Sequence, residues 1–514
     1  MSNFIIGCQI LAVGLEAVMF TFIGSLAILI LGYLFYGKYV EKVFGVDDSR
    51  QTPAIRMPDG VDYVPLGAFK SLFIQFLNVV GTGPIFGAIA GAAFGPMAFV
   101  WITLGCVFGG AVHDYFSGML SVRKDGATVG EIVGENLGNF AKLVLRILSL
   151  VLLVLVAVVF WKSPAQILHN LMGGAVSLNV LLIIILCYYA LATVMSIDKI
   201  IAKLYPIFGV CLFFMAVGIS VALIAGNVAG YYRTPEITEV FKQLNYHKTL
   251  DLFPFLFISI ACGAISGFHA TQSPIIGRCI KKESDGGRVF YLAMIGEGIV
   301  ATIWAAAAIT LFPKDGVLGL TSQLEGLAAA GSAPVVVNKV AAMTLGGIGS
   351  ILAVLGVVAA PITSGDTAFR GARLVVADIL KIDQKSVKNR FIIAIPLFAI
   401  GIILAQVDFS IIWRYFAWSN QTLAMFGLWS SSVWLMRRQR NFYITLLPAI
   451  FMTLVSVDYI ILAPEGFAAL LASVAPNVRA IIGIVIAAIV AVVATVAFFN
   501  KQAEWTKKKM FIKD

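Results

Sequence analysis

The sequence predicts an all-α polytopic membrane protein whose core consists of two five-helix repeats of opposite orientation, with the first and sixth core helices broken. Hydrophobic residues make up 60% of the 514-residue chain and charged residues only 12%, whereas about 25% of the residues in a typical soluble domain are charged. Uncharged apolar runs long enough to cross a hydrocarbon core of about 30 Å recur along the chain. This composition excludes a soluble enzyme, a nucleic-acid-binding module and a disordered protein.

Hydropathy divides the chain into a peripheral N-terminal helix region, a polar loop, two five-helix repeats, two peripheral helices and a basic tail. These parts are predicted at residues 1–40, 41–68, 69–228, 251–436, 441–499 and 500–514. One or two crossings are both compatible with the first 40 residues. The scheme counts thirteen spans, at about 21–39, 69–95, 98–121, 141–161, 178–196, 200–226, 252–278, 287–312, 343–378, 391–407, 409–436, 441–463 and 480–499.

Lysine and arginine are distributed unevenly between the two sides of this scheme. One side holds 29 of the 37 basic residues and the other side holds eight. Because basic residues collect in cytoplasmic loops, the richer side and the C-terminal tail are predicted to be cytoplasmic, in the inner membrane of a prokaryote. The net charge of +10 is interpreted in the same way, so lipid is an expected partner and nucleic acid is not.

Glycine, serine and proline interrupt two of the apolar segments, at about residues 81–84 and 263–274. In lipid, an interrupted backbone is tolerated only where protein or a water-filled cavity satisfies the freed N–H and C=O groups. Paired breaks in two halves indicate the binding site of an inverted-repeat transporter, and close helix packing is the alternative. The predicted substrate-binding residues are Gln75, Asn78, Gly81, Thr82, Gly83, Pro84, Gly263, Ser266, Gly267, His269, Asn420 and Gln421. The last two could instead link helices.

Two acidic residues lie inside apolar segments, where ionisable groups are costly and usually face the interior of the bundle. Asp114 and Glu297 each follow their broken helix by about thirty residues, which repeats the spacing between the two halves. Desolvation favours the neutral form of a carboxyl. Glu297, predicted near mid-membrane, is therefore a candidate proton carrier, with a structural hydrogen bond as the alternative. Asp114 is predicted close to cytoplasmic water, where a structural role is favoured.

The eighth core helix carries hydroxyl side chains around a carboxylate: Thr363, Ser364, Asp366 and Thr367. Hard cations prefer such oxygen ligands, so these residues form a candidate sodium site. The alternative is that the hydroxyls bond to backbone and that Asp366 pairs with Arg370. No cofactor and no other metal site is expected, because the six cysteines lack metal-ligand spacing and are interpreted as packing residues. Enzyme motifs are absent as well.

Several stretches together resemble the carbon starvation protein A (CstA) family. They are Thr52-Pro-Ala-Ile-Arg-Met-Pro-Asp-Gly-Val-Asp-Tyr-Val-Pro, Gly81-Thr-Gly-Pro-Ile-Phe-Gly, Gly110-Ala-Val-His-Asp, Ile260-Ala-Cys-Gly-Ala-Ile-Ser-Gly-Phe-His, Thr363-Ser-Gly-Asp-Thr-Ala-Phe-Arg and Asn420-Gln. The resemblance implies a secondary transporter with the LeuT/APC-type inverted-repeat fold. It also implies peptide uptake during carbon starvation or proton-coupled pyruvate uptake.

The expected function is therefore import of short peptides, driven by a proton or cation gradient. Import of pyruvate or a similar small carboxylate is the alternative, and a non-transporting nutrient sensor is the rival of another class. The chain departs from the family pattern at Ile74-Gln75, which replaces a histidine pair of larger relatives, and at Ala88 and His113. A mechanism that depended on the histidine pair would not carry over.

Overall fold

The computed structural model describes residues 19–60, 62–194, 197–384, 386–508 and 511–512. Within these ranges the chain is helical, and its only β-type pairing is an isolated bridge between Leu66 and Ile280. Residues 1–18, and with them the question of a second N-terminal crossing, lie outside the described residues. The predicted all-α class is confirmed for the part of the chain that the structure covers.

Eleven helices form the first half of the described chain. They are α1 (Phe20–Leu31), α2 (Lys38–Phe44), α3 (Pro53–Arg56), α4 (Ala68–Val79), α5 (Gly83–Ala92), α6 (Met97–Gly105), α7 (Ala111–Arg123), α8 (Val129–Leu137), α9 (Asn139–Leu171), α10 (Leu178–Val194) and α11 (Ile197–Val228). A π-helical turn joins α1 to α2 (Gly32–Gly37) and another joins α6 to α7 (Cys106–Gly110), so each pair continues as one long helix.

Ten helices form the second half. They are α12 (Leu252–Ser259), α13 (Phe268–Gly277), α14 (Leu292–Thr310), α15 (Leu320–Ala330), α16 (Ala333–Ala353), α17 (Ala359–Leu380), α18 (Val387–Ala405), α19 (Phe409–Arg437), α20 (Tyr443–Leu462) and α21 (Pro476–Lys508). A π-helical turn at Gly287–Tyr291 precedes α14, and another at Val354–Val358 joins α16 to α17.

In the described residues, nine helical spans are long and apolar enough to cross a membrane, and two bent helix pairs raise that number to eleven. The chain is therefore a multi-pass membrane protein. The nine spans and the bent pair α4–α5 account for ten of the thirteen predicted segments. The other three correspond to α10, to the broken pair α12–α13 and to α19, which are too short or too polar for the same criterion.

The segment predicted at 343–378 is the one whose shape differs most from the expectation. Its first part belongs to α16, which begins earlier at Ala333 and is bent by 114° relative to α15. Gly346 has a φ of 57° and interrupts the helix, which a residue with a Cβ would rarely allow. The sequence prediction left out α15 and the first ten residues of α16, and it joined the rest of α16 to α17 because residues 343–362 form one uncharged run.

Burial separates central helices from peripheral ones. In the most apolar window of the span 97–123, 78% of the residues are buried, and in that of 283–310 the share is 83%, whereas it is 28% for 20–44 and 22% for 476–508. The central spans contain α7 and α14, and the peripheral ones contain α1 and α21. The apolar faces of the peripheral helices point away from the protein, as expected for contact with lipid.

The predicted polar loop at 41–68 is partly helical, because α2 continues to Phe44 and α3 lies within it. Residues 45–66, here called the 45–66 segment, run across the ends of the central helices. Arg123 donates to Gly45 O at 2.6 Å and pairs with Glu283 at 2.9 Å, and these two charged side chains are only 7% and 3% exposed. Thr52 Oγ1 donates to Ile280 O at 2.6 Å. The segment therefore closes this face of the bundle.

Candidate functional site

The first break is short and is shaped by glycine. α4 ends at Val79, α5 begins at Gly83, and the two helices are bent by 51°. A Cβ atom on Gly81 would lie 2.4 Å from the ring of Phe160 on α9, so a larger residue there would displace the ring. Thr82 is fully buried and its hydroxyl has no hydrogen-bond partner among the described residues.

The second break is longer and is held by polar side chains. Residues 260–267 separate α12 from α13, and Gly263 has a φ of 87°, which favours glycine. Asn420 on α19 accepts from Phe268 N at 2.7 Å and from Ser266 Oγ at 3.2 Å. Its amide also donates to Ala261 O. These bonds satisfy backbone groups that the break would otherwise leave unpaired.

Gln421, next to Asn420, holds the end of α12. Its amide donates to Phe257 O at 3.0 Å and to Ile260 O at 3.1 Å. Both side chains are buried. Of the two predicted roles for this pair, the structure therefore displays the link between helices, and substrate binding by the same residues stays a prediction.

The two breaks lie against each other. A Cβ atom on Gly83 would lie 2.6 Å from Cys262 Sγ, and one on Gly263 would lie 3.7 Å from Pro84 Cβ. A Cβ atom on Gly267 would lie 2.3 Å from Asn420 O, so this glycine allows α19 to approach closely. The predicted residues at the two breaks are therefore neighbours in space, although about 180 residues of sequence separate them.

A chain of ionisable side chains lies beside the second break. His269 Nδ1 is 2.6 Å from Asp114 Oδ2, and His269 Nε2 is 3.1 Å from Glu297 Oε2. His113 Nδ1 is 2.9 Å from the other oxygen of Asp114. All four residues are 0% exposed. Asp114 and Glu297, which the sequence spacing paired, are therefore connected in the structure through His269, which follows the second break.

The prediction that Asp114 lies close to water is wrong. The residue is fully enclosed and contacts both histidines. The prediction used only the number of residues between the start of the helix and Asp114. Position along a helix does not show which neighbours cover a side chain, and here α13 packs against this part of α7 and covers it. Asp114 and Glu297 therefore belong to one cluster rather than to two separate sites.

The hydroxyl run on α17 lies one aromatic ring away from the first break. A Cβ atom on Gly365 would contact Tyr189 and Phe160, and the Phe160 ring also covers Gly81. Asp366 pairs with Arg370 at 3.6 Å, and Thr367 Oγ1 donates to Ser364 O at 2.8 Å. Asp366 and Thr367 thus make the contacts of the alternative prediction, an ion pair with Arg370 and a hydroxyl-to-backbone hydrogen bond.

The hydroxyl of Ser364 is buried without a partner among the described residues. Thr363 is also buried, with 4% of its surface exposed. An oxygen site on this helix would therefore use these two residues first.

Comparison with known proteins identifies the family. The family model of carbon starvation protein CstA matches residues 16–232 and 175–318. The chain belongs to the CstA family. An uncharacterized membrane protein of Haemophilus influenzae is 40% identical over 343 residues, which cover 57% of this chain and 91% of that protein.

Two named relatives are transporters. The peptide transporter CstA of Escherichia coli is 28% identical over 375 residues, with 62% of this chain and 53% of the relative covered. The pyruvate/proton symporter BtsT of the same organism is 28% identical over 349 residues, with 57% and 49% covered. The chain thus spans about half the length of these two relatives.

A solved manganese transporter of Eremococcus coleocola aligns with 88% of this chain and 99% of its own. The TM-score of that alignment is 0.48 and the sequence identity is 12%.

The residues before the first break of this CstA family member are buried and partly unpaired. Gln75 donates to Ser273 Oγ at 3.3 Å, while its Oε1 has no partner among the described atoms. Asn78 is 5% exposed. Gln75 thus holds an unsatisfied polar atom four residues before the end of α4 at the first break.

Sequence reasoning missed two participants in the site. Cys262 was interpreted as a packing residue, yet its sulfur lies against the first turn of α5 at Gly83. Ser273 was not singled out, and its hydroxyl donates to His269 O at 2.9 Å while accepting from Gln75. The signal for Ser273 was available, because it lies four residues after His269 on the same helix face.

Proposed function

We propose that this protein is a secondary active transporter that imports short peptides across the cytoplasmic membrane under carbon starvation, driven by a proton or cation gradient. The observation that carries the proposal is the contact between two broken helices at the centre of a multi-pass bundle. Irregular backbone at membrane depth serves substrates and ions in transporters, where it lines a cavity. The named CstA relatives support the same conclusion.

The breaks suit the recognition of a carboxylate. α5 begins at Gly83 and α13 at Phe268, so two helix N-termini adjoin the contact between the breaks. Backbone N–H groups at a helix N-terminus attract negative charge. A peptide presents such a group at its C-terminus. The unpartnered Thr82 hydroxyl can donate to a carboxylate, and the unpartnered Gln75 Oε1 can accept from a peptide N–H. We propose these residues for the substrate site.

Two five-helix repeats of opposite orientation are the arrangement that we propose for the core, with α4 and α12 beginning the two halves. The corresponding positions of Asp114 and Glu297 in the two halves support this arrangement, since each lies beside a break and both contact His269. The cytoplasmic position of the C-terminal tail, inferred from the distribution of basic residues, is part of the same proposal.

The coupling ion is proposed to be a proton or Na⁺. The cluster of Asp114, His269 and Glu297 is the candidate for the proton, and Ser364 with Thr363 is the candidate for Na⁺. Both lie next to a break, where a change of conformation could open them to water.

Import of pyruvate or a similar small carboxylate is the rival function. One relative named pyruvate/proton symporter supports it at the same sequence identity as the peptide transporter. Helix N-termini would bind either substrate, so an experiment must separate them. A nutrient sensor that does not transport is the further alternative.

The test is uptake of labelled dipeptides, tripeptides and pyruvate into proteoliposomes, with pH and Na⁺ gradients imposed separately. We expect concentrative peptide uptake under one of the two gradients. Uptake of pyruvate alone would replace the substrate assignment. Absence of uptake of every substrate by well-folded, correctly oriented protein would favour a sensor over a transporter.

A further inference from the structure

Beside the second break, three different metal-ligating side chains converge. Cys262 Sγ, His269 Nε2 and a carboxylate oxygen of Glu297 all lie within 4.8 Å of one another. The three residues are buried. They come from three elements, because Cys262 lies in the break, His269 in the first turn of α13 and Glu297 on α14.

The ligand atoms point at one another without making good hydrogen bonds. His269 Nε2 and Glu297 Oε2 are 3.1 Å apart without good hydrogen-bond geometry, and Glu297 also lies beside the backbone N–H of Gly263. Ligands of a tetrahedral zinc ion, at about 2.0–2.3 Å from the metal, lie roughly 3.3–3.6 Å from each other. The nitrogen–oxygen pair is slightly closer than this, and the ligand atoms that are up to 4.8 Å apart would need to approach each other by roughly 1 Å.

A second layer of groups orients the histidine as metal sites require. Asp114 Oδ2, at 2.6 Å, holds the proton on His269 Nδ1, so the lone pair of Nε2 faces Cys262 and Glu297. A carboxylate that accepts from the far nitrogen of a ligating histidine is a recurrent feature of metal centres. The amide of Asn420 donates to Cys262 Sγ at 3.5 Å, and Cys262 Sγ also lies 3.5 Å from Ser266 Oγ.

The ligand types favour a divalent transition metal. Asp114 and Glu297 are both buried against His269, Asp114 also contacts His113, and buried negative charge needs a positive partner. The charges of a divalent ion, one thiolate and one carboxylate sum to zero, and Asp114 lies outside this set, against both histidines. Sulfur and nitrogen ligands exclude Na⁺, Mg²⁺ and Ca²⁺, which prefer oxygen.

We propose that Cys262, His269 and Glu297 form a binding site for a divalent transition metal, with Zn²⁺ as the best match to a mixed sulfur, nitrogen and oxygen ligand set. Three protein ligands leave a fourth position for water or another small ligand. The bound ion ties the second break to α14. The ion would occupy His269 and Glu297, which are also the candidates for the coupling proton, so bound metal and proton coupling at this cluster exclude each other. The metal proposal is tested separately from transport, because it concerns only binding to the folded protein.

The test measures metal binding by the purified full chain in lipid nanodiscs, stripped with chelator and titrated with Zn²⁺ or Co²⁺ alone. We expect one tightly bound ion per chain and, with Co²⁺, a thiolate-to-metal charge-transfer band. Cys262→Ser should remove the band and weaken Zn²⁺ binding at least tenfold. Cys106→Ser is the matched control, because Cys106 is also buried but does not belong to this group of ligand atoms.

Asp114→Asn should keep the band and weaken binding by about 10–100-fold, as loss of a supporting carboxylate does elsewhere. X-ray absorption on the Zn²⁺-loaded wild type needs no variant, and it should show one sulfur at about 2.3 Å with nitrogen and oxygen neighbours at about 2.0–2.2 Å. Absence of a sulfur ligand, or equal Zn²⁺ affinity in the wild type and a folded Cys262→Ser protein, would overturn the proposal. Loss of the band in Cys106→Ser would overturn the assignment to Cys262.

Discussion

The two helix breaks place non-helical backbone inside the bundle in different ways. The first spans only residues 80–82, and its nearest neighbours are the Phe160 ring and Cys262, which leave room for no Cβ atom on Gly81 or Gly83. The second spans residues 260–267 and is held by hydrogen bonds from Asn420 and its neighbour on α19. One break is shaped by the absence of side chains and the other by polar side chains from another helix.

This difference predicts different sensitivities. Both breaks should respond to added volume, because close approaches at each depend on glycine. Only the second should also respond to the loss of side-chain hydrogen bonds, because Asn420 and Gln421 pair backbone groups that would otherwise be buried and unsatisfied. Substitutions of each kind at each break test whether the distinction is real.

The largest effect is expected from Gly83→Val. The new Cβ atom would meet Cys262 Sγ at 2.6 Å and separate the two breaks. Because displacement of a binding group by about 1 Å can reduce a rate about 100-fold, we expect peptide uptake to fall by about that factor or more. Gly24→Val is the matched control, since a Cβ on Gly24 meets nothing within 4 Å. Equal uptake by the two variants would contradict the proposed site.

A large loss of stability is expected from Asn420→Ala. The change leaves Phe268 N and Ala261 O buried without their partner. At about 1–3 kcal/mol for each of the two groups, the free energy of unfolding should fall by about 2–6 kcal/mol. Thermal unfolding in detergent measures it. Ser431→Ala on the same helix is the control, because the Ser431 hydroxyl only donates to Gly427 O within α19. If Ser431→Ala lowers the free energy of unfolding as much as Asn420→Ala does, the hydrogen bonds of Asn420 do not stabilise the second break.

A smaller effect is expected on α17. Thr363→Ala together with Ser364→Ala should raise the Na⁺ concentration for half-maximal uptake roughly tenfold, which corresponds to about 1.4 kcal/mol. Thr367→Ala should change it less, because that hydroxyl already donates to Ser364 O. The measurement is uptake against external Na⁺. If uptake by the wild-type protein does not depend on Na⁺, α17 holds no coupling cation.

The smallest change in stability is expected from Gln75→Met. Gln75 makes one long hydrogen bond to Ser273, and its Oε1 is unpaired, so an apolar side chain of similar shape should alter the free energy of unfolding by less than about 1 kcal/mol. If Gln75 binds substrate, the KM for peptide should rise while the protein stays as stable. A variant with unchanged KM would remove Gln75 from the substrate site.

Much of the fold was predictable because hydropathy reports burial in lipid directly. The positions of the two breaks followed from Gly81, Pro84 and Gly263, since these residues disfavour a continuous helix. α15 and the start of α16 were not predicted, because Glu325 and Lys339 leave no uncharged apolar run of about 20 residues between 320 and 342.

The sequence indicated which residues belong to the candidate site better than it indicated which of them contact one another. The repeat spacing drew attention to Asp114 and Glu297, and the break drew attention to His269. Their meeting in one cluster depends on how α7, α13 and α14 pack, which no local pattern encodes. Cys262 was missed for the same reason, because a cysteine acquires a metal-ligating role from neighbours that are distant in sequence.

The 45–66 segment has a consequence for the order in which its face of the bundle can open. The pair Arg56–Asp125 at its edge is exposed, so dissolved salt screens it, with a Debye length of about 8 Å at physiological ionic strength. The pair Arg123–Glu283 is enclosed, and its charges separate only when water reaches them. If this face opens, we expect the edge pair to separate before the enclosed pair, and added salt to weaken only the edge pair.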